Sequence, residues 1–220
     1  YRNFVLKSFE REARIVILGG TTGSGKTEIL HEIRKRNEQI VDLEGLAHHK
    51  GSSFGAIGQE MQLPQEAFEN KLAEIWNSLD FSKRIWVEDE AKSIGRNFIP
   101  DALWKKMKEA PIVRINLPKE ERIKRLVGDY GKFDKKLLEE AIIRIRKRLG
   151  PQHAKAALEE LENGNLAAVA DITLVYYDKA YNYDHEKRER KTIFQVDVER
   201  NEPIENAGKL ISFINTNFIV

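Results

Sequence analysis

Cysteine is absent from this 220-residue chain, which excludes a thiol nucleophile, a thiolate metal site and a redox pair from its chemistry. No apolar run approaches the roughly 18 residues of a membrane-spanning helix, and no signal-peptide pattern opens the chain. Internal repeats, low-complexity tracts and Pro/Gly-rich linkers are missing too, so nothing suggests an array or a string of modules. Net charge has almost no sign, because 37 Lys and Arg stand against 35 Asp and Glu to leave +2. A chain of this length buries well over half of its unfolded surface, so it needs no disulfide or metal staple. These absences fit a globular protein expected in the cytoplasm.

The even charge hides a local imbalance. Residues 119–148 hold eleven basic and six acidic side chains. A basic stretch on a near-neutral chain suits a polyanion partner, and the plainer reading is a solvated, ion-paired helix. Ahead of it, apolar patterns alternate. "RIVILGG" (14–20) reads as a buried parallel strand, residues 26–37 as a helix and 39–45 as a second strand, together a βαβ unit. A helix opened by Pro64 carries Phe68, Leu72, Ile75, Trp76 and Leu79 on one stripe. Residues 84–91 and 111–117 are further strands, with the helix "IPDALWKKMKEA" between them. Residues 119–191 read as mostly helical, 191–198 as a last strand and 206–219 as a closing helix. The expected fold is α/β: a P-loop NTPase-like parallel sheet covered by helices on both faces. A basic helical insertion occupies about 119–190, within one domain spanning 14–220.

The most specific motif is Gly20-Thr21-Thr22-Gly23-Ser24-Gly25-Lys26-Thr27, which satisfies G-x-x-x-x-G-K-[ST] between a strand and a helix. Its glycines let backbone N–H groups turn onto phosphate oxygens at the positive end of a helix. Lys26 would reach the terminal phosphate and Thr27 would hold Mg²⁺. Glu88, Asp89 and Glu90 end a buried strand at the same sheet edge, where an acid orients a metal-bound water or acts as a base. Glu88 is the candidate second metal partner, and strand alternation lets at most two of the three acids face the phosphates. Asp42 and Glu44, two apart at the end of the second strand, would share one face beside the loop. In "HHKGSSFG" (48–55), His48, His49, Gly51, Ser52 and Ser53 supply donors suited to an anion. In "EEAIIRIRKRLG" (139–150), Arg144, Arg146 and Arg148 flank an apolar stripe, as a phosphate lid, an RNA-facing edge or simple snorkelling side chains. "VYYDKAY" (175–181) places Tyr176, Tyr177 and Tyr181 near basic residues, including the run "HEKRERK" (185–191). That combination suits stacking on unpaired bases as well as ordinary packing.

Taken in series, "GGTTGSGKT", "VDLEGLAHHKGSSFG", "VEDEAKSIGRNFIP", "IRKRLG" and "YYDKAY" resemble the P-loop half of the tRNA 2-selenouridine synthase family. The resemblance runs from Tyr1 nearly to the C-terminus. It implies conversion of 2-thiouridine to 2-selenouridine at the tRNA wobble position. The sulfur is first alkylated by geranyl diphosphate, and the S-geranyl group is then displaced using selenophosphate through the Cys of a rhodanese-like domain. Because the chain begins with Tyr1 and holds no Cys, residues 1–13 read as a connector from such a domain, acting in cis or in trans. Lys50 stands where the family commonly has Arg, and Lys179 where Pro is common. The resemblance implies that the P-loop holds the geranyl diphosphate, with Lys26, Mg²⁺ on Thr27, and Arg96 or Arg148 stabilising the leaving diphosphate. The basic helix and the Tyr cluster would present the tRNA anticodon loop. Phe54, Trp76, Trp86 or Phe98 would line a prenyl pocket. Two other readings stay open: an ATP-dependent kinase of a small alcohol, and a nucleotide-gated RNA-binding module.

Overall fold

The computed structural model of the chain describes residues 2–187 and 192–217. In chain order the first elements are α1 (Arg2–Ser8), β1 (Arg14–Gly20), α2 (Lys26–Lys35), β2 (Gln39–Val41), α3 (Leu43–Ala47) and α4 (Gln65–Asn77). Then come β3 (Arg84–Glu88), a two-strand hairpin of β4 (Ser93–Ile94) and β5 (Asn97–Phe98), α5 (Asp101–Glu109) and β6 (Ile112–Asn116). Four consecutive helices follow: α6 (Lys119–Tyr130), α7 (Lys135–Leu149), α8 (Pro151–Glu162) and α9 (Leu166–Lys187). β7 (Ile193–Asp197) and α10 (Pro203–Asn217) close the chain.

The five longer strands form one parallel sheet in the order β2-β3-β1-β6-β7. Alternation along β1 explains the two-sided core. Ile15 and Ile17 pack with Phe68, Leu72 and Trp76 of α4 and with Leu103 and Met107 of α5. Val16 and Leu18 pack with Ile29, Leu30 and Ile33 of α2 and with Leu210 and Ile214 of α10. A third cluster joins α7, α8 and α9 through Leu138, Ile142, Ile145, Ala157, Leu161 and Val169, and reaches back to Phe54 and Ile57. β1 lies between strands reached in opposite directions along the sheet. The crevice beyond its carboxyl end is therefore a topological switch point, where open α/β sheets bind ligands.

Three boundaries differ from the sequence expectation. The second strand stops at Val41 rather than residue 45 because the Asp42 side chain accepts the Gly45 N–H at 2.7 Å and turns the chain into α3. The third strand stops at Glu88, and the chain beyond Asp89 and Glu90 enters the β4–β5 hairpin. Residues 2–13, read as a connector, belong to the folded body. α1 lays Val5 and Phe9 into the core, and the Trp76 indole N–H donates to the Ser8 carbonyl at 3.1 Å. α9 runs unbroken through Lys179, whose free N–H continues the ladder that proline would interrupt. The basic run 185–191 lies at the edge of the described residues: its backbone is helical to Lys187, and 188–191 fall outside them.

Trp76 is fully buried and ties α1 to α4. Trp76→Ala should cost about 3–5 kcal/mol of stability, read by urea unfolding. A loss below about 1 kcal/mol would contradict the packing assigned to α1.

Candidate functional site

The glycine-rich turn between β1 and α2 has the backbone its sequence demands. Gly23 and Gly25 sit in the left-handed region at φ 82° and 78°. A Cβ at Gly25 would stand 2.9 Å from Asn201 Oδ1, so neither strain nor space favours a side chain there. Gly25 is also the N-cap of α2, and no side chain caps the helix's first-turn N–H groups. Those donors face the crevice at the positive end of a ten-residue helix. The Ser24 hydroxyl is buried without a partner. Lys26 donates to the Gly20 carbonyl at 3.1 Å.

Carboxylates crowd the opposite side of this loop. Burial works against the charge on Lys26, but Glu90, Glu44, Glu88 and Asp89 outweigh it and its pKa is raised. The Thr27 hydroxyl lies 2.9 Å from Glu44 Oε2 and 2.9 Å from Glu88 Oε1. One hydroxyl proton cannot serve two carboxylates, so two hard oxygen donors compete beside the phosphate loop. Burial raises the Glu88 pKa well above the ordinary carboxylate range, reinforced by Glu44 and Asp42. Burial likewise raises Glu90, reinforced by Glu44. Among the described residues, no three Asp, Glu or His side chains converge to hold a metal by themselves. A cation here would have to complete its shell with ligand oxygens.

The helical insertion closes over the crevice chiefly through α9. Tyr181 accepts the Gly20 N–H at 2.9 Å and donates to Asp89 at 3.2 Å. Asp178 takes both ends of the Arg122 guanidinium at 2.7 Å each, and Arg122 also donates to the Thr22 carbonyl at 3.1 Å. Tyr177 accepts the Ser53 N–H at 3.2 Å. Burial raises the Tyr177 and Tyr181 pKa values beyond reach of neutral pH, so both stay protonated. The resulting cleft of about 630 Å³ is lined by the P-loop, Glu44, Lys50–Ser52, Asp89, Glu90, Arg125, Arg148, Tyr176, Tyr181 and Tyr183, among others. An apolar cavity of about 50 Å³ adjoins it and shares Thr22, Ser52, Leu126, Tyr130 and Tyr177 with it. Phe54, Val127, Leu138, Val169 and Leu174 line its interior.

Placement of the sequence candidates is therefore selective. All three acids, Glu88 at the end of β3 and Asp89 and Glu90 beyond it, act on Lys26 of the loop, because strand alternation ends at Glu88. Asp42 and Glu44 separate: Asp42 caps α3 and pairs with His31 Nε2 at 2.7 Å, while Glu44 reaches Thr27. Gly51 and Ser52 line the cleft. Ser53 is fixed by Arg144, whose guanidinium donates to the Ser53 carbonyl at 2.9 Å. His49 lies within the fields of Glu44 and Arg144, and burial lowers its pKa. His48 turns away, its Nδ1 3.2 Å from the Met61 carbonyl. Arg96 sits on the β4–β5 turn and does not line the cleft. Arg146 is exposed on α7 and, among the described residues, has no side-chain hydrogen bond or ion pair, whereas Arg148 lines the cleft. Of the aromatics proposed for a prenyl pocket, only Phe54 lines the apolar cavity. Trp76 and Trp86 are fully buried in the core and Phe98 is exposed. Arg122, Arg125 and Tyr130 are site residues that sequence reasoning passed over. Their spacing on α6 read only as part of a charged helix.

The model for the tRNA 2-selenouridine synthase AAA domain matches residues 13–205. The chain belongs to this family. It is 34% identical over 230 residues to the tRNA 2-selenouridine synthase of Shewanella frigidimarina, covering 89% of this chain and 62% of that protein. It is also 34% identical over 214 residues to that of Psychromonas ingrahamii, covering 84% and 57%. The chain thus spans about three-fifths of the length of the curated relatives it matches. Among solved structures it is similar to TT1252 from Thermus thermophilus, at 12% identity and a TM-score of 0.46 over 96% of this chain and 100% of that one. No helix among the described residues is long and apolar enough to cross a membrane.

The raised carboxyls set a pH dependence. Between the ordinary Glu range near pH 4.3 and their elevated native values, Glu88 and Glu90 hold protons in the folded state that the unfolded chain has released. Stability contributed by these groups is complete below that window and is lost as pH rises through it. Glu90→Gln should therefore flatten the decline of Tm as pH rises from about 5 to 8. An unchanged slope would refute the assignment.

Proposed function

We propose that this chain is the P-loop part of an enzyme that converts 2-thiouridine to 2-selenouridine at the tRNA wobble position, and that its cleft binds geranyl diphosphate for S-geranylation. Family membership supports the tRNA-modifying role. The observation that carries the prenyl reading is the apolar cavity joined to the phosphate cleft through Thr22, Ser52 and Tyr177. The cavity lining is mostly aliphatic and aromatic, which suits a hydrocarbon tail better than a base with its hydrogen-bonding edge. A prenyl diphosphate has an anion for the P-loop and a hydrocarbon for the space behind it. The cavity is smaller than a geranyl chain, so binding requires its lining side chains to move apart.

In the transfer, the thiocarbonyl sulfur donates an electron pair to the first carbon of the geranyl group. The carbon–oxygen bond breaks, that pair leaves on the diphosphate, and the N3 proton of the alkylated base passes to solvent or to a carboxylate of the cleft. Lys26 and the first-turn N–H groups of α2 neutralise charge gathering on the leaving oxygens. Thr27, Glu88 and Glu44 fit a magnesium ion, which would add Lewis-acid stabilisation of the same oxygens when bound. Sulfur is already nucleophilic, so the buried acids need not act as a strong base. The selenium step requires a thiol and falls to a rhodanese-like domain outside these residues, supplied with selenophosphate.

Calorimetric titration with geranyl diphosphate and with ATP, each with Mg²⁺, tests this reading. Geranyl diphosphate should bind the more tightly, and Lys26→Ala should weaken it by about tenfold or more, the loss expected for a charge-assisted contact. Preference for ATP, with geranyl diphosphate unable to compete, would favour a kinase or a nucleotide-gated RNA binder. Val169→Phe, which fills the cavity, should weaken geranyl diphosphate while leaving inorganic pyrophosphate unchanged. Equal effects on both ligands would remove the cavity from the argument.

A further inference from the structure

The cleft carries two groups of cations with different surroundings. On the P-loop wall, Lys26 faces four carboxylates, and Arg125 is ion-paired with Glu28 and with Asp129. Around the 50–53 loop and α7, Lys50, Arg144 and Arg148 form no ion pair with a carboxylate among the described residues, although Glu90 and Glu44 lie against Gly51. Lys50 stands 5.9 Å over the Tyr130 ring, and Arg144 donates to Ser53. Arg148 reaches the Tyr176 hydroxyl at 3.5 Å. These groups form one connected surface. Arg144 and Arg148 lie one turn apart on α7, the Tyr177 hydroxyl holds the Ser53 N–H, and the Tyr176 and Tyr177 rings are 4.9 Å apart. Three cations with no ion-pair partner among the described residues, at the rim of an acid-rich cleft, call for an anion of their own.

We infer that Lys50, Ser52 and Arg148 form a second anion seat, occupied by a backbone phosphate of the RNA strand while the P-loop holds its own ligand. The inference rests on the tRNA reading above and extends it to particular atoms. Two features favour a phosphodiester over a free phosphate. The seat offers separated single charges rather than a closed nest of N–H groups, which suits a ligand carrying one charge per phosphate. Tyr183, 54% exposed, lines the same cleft on α9 beyond Tyr176, where a neighbouring base can stack on it. Arg144 acts as a positioning residue, since it holds the Ser53 carbonyl and with it the 50–53 loop. Arg146 points away and serves as a control.

The test is fluorescence anisotropy of a labelled anticodon stem-loop RNA across a salt series, with geranyl diphosphate titrated separately. Lys50→Ala and Arg148→Ala should each weaken RNA binding several-fold and reduce the salt slope by about 0.7 to 0.9, as loss of one phosphate contact requires. Affinity for geranyl diphosphate, held chiefly by Lys26 and the α2 N-terminus, should fall by less than RNA affinity does, and an equal fall in both would overturn a separate seat. Lys50→Arg should retain RNA binding, and Arg146→Ala should alter neither ligand. Inorganic phosphate at millimolar concentration should compete with RNA no better than chloride of equal ionic strength. Specific competition by phosphate would assign the seat to a small phosphate monoester and overturn the phosphodiester. Unchanged RNA affinity and slope in both Ala variants would overturn the seat while leaving the RNA substrate intact. If the unmodified chain bound no RNA, the seat and the tRNA reading would both fall.

Discussion

A buried lysine held among carboxylates is the interaction on which the rest of the site depends. Lys26 keeps its proton in a place that penalises charge only because Glu90, Glu44, Glu88 and Asp89 surround it. The acids tolerate burial only in part, which is why Glu88 and Glu90 are pushed toward their neutral forms. Neither set is at rest alone. An anion on the loop and a hard cation between Thr27 and Glu88 would relieve both strains together, because each adds the charge that its neighbours lack. The site is therefore unstable toward ligand binding by construction of its charges.

The helical insertion gives that polar centre its walls. α9 spends three side chains within five residues on the site: Tyr177 on the 50–53 loop, Asp178 on Arg122, and Tyr181 on the P-loop amide and Asp89. The Arg122–Asp178 pair is bidentate, and Arg122 itself is almost fully buried, so its strength is not screened as a surface pair would be. Because Arg122 also bonds Thr22, the phosphate loop and the insertion are mechanically joined. The same packing leaves the apolar cavity between α6, α7 and α9 adjoining the cleft. A site that pairs phosphate donors with a hydrocarbon recess follows from placing amphipathic helices over a P-loop.

Much of the fold was legible in the sequence because its signals are local. The β-branched run 14–20, its glycine-rich turn and the stripe of α2 lie within about twenty residues of one another, and their periodicity alone separates strand from helix. Boundaries were less legible where a side chain, rather than a pattern, ends the element. Asp42 reads as one more acid on a strand until its bond to Gly45 shows it to be a cap. α1 reads as a connector because a seven-residue helix gives too short a stripe to register, although Val5 and Phe9 are buried.

The sequence by itself determined the phosphate loop, the acids at and beyond the end of β3, and the presence of a basic helical insertion. Each of these is a short-range pattern whose chemistry does not depend on distant partners. Tertiary structure alone decided which arginine faces the cleft, Arg148 rather than Arg146. It also decided that Arg96 and His48 stand apart from the site, and that Tyr181 bonds a residue 161 positions away. Such contacts depend on how helices rotate and dock against the sheet. That rotation is set by packing of the whole apolar stripe, so no window along the chain carries it.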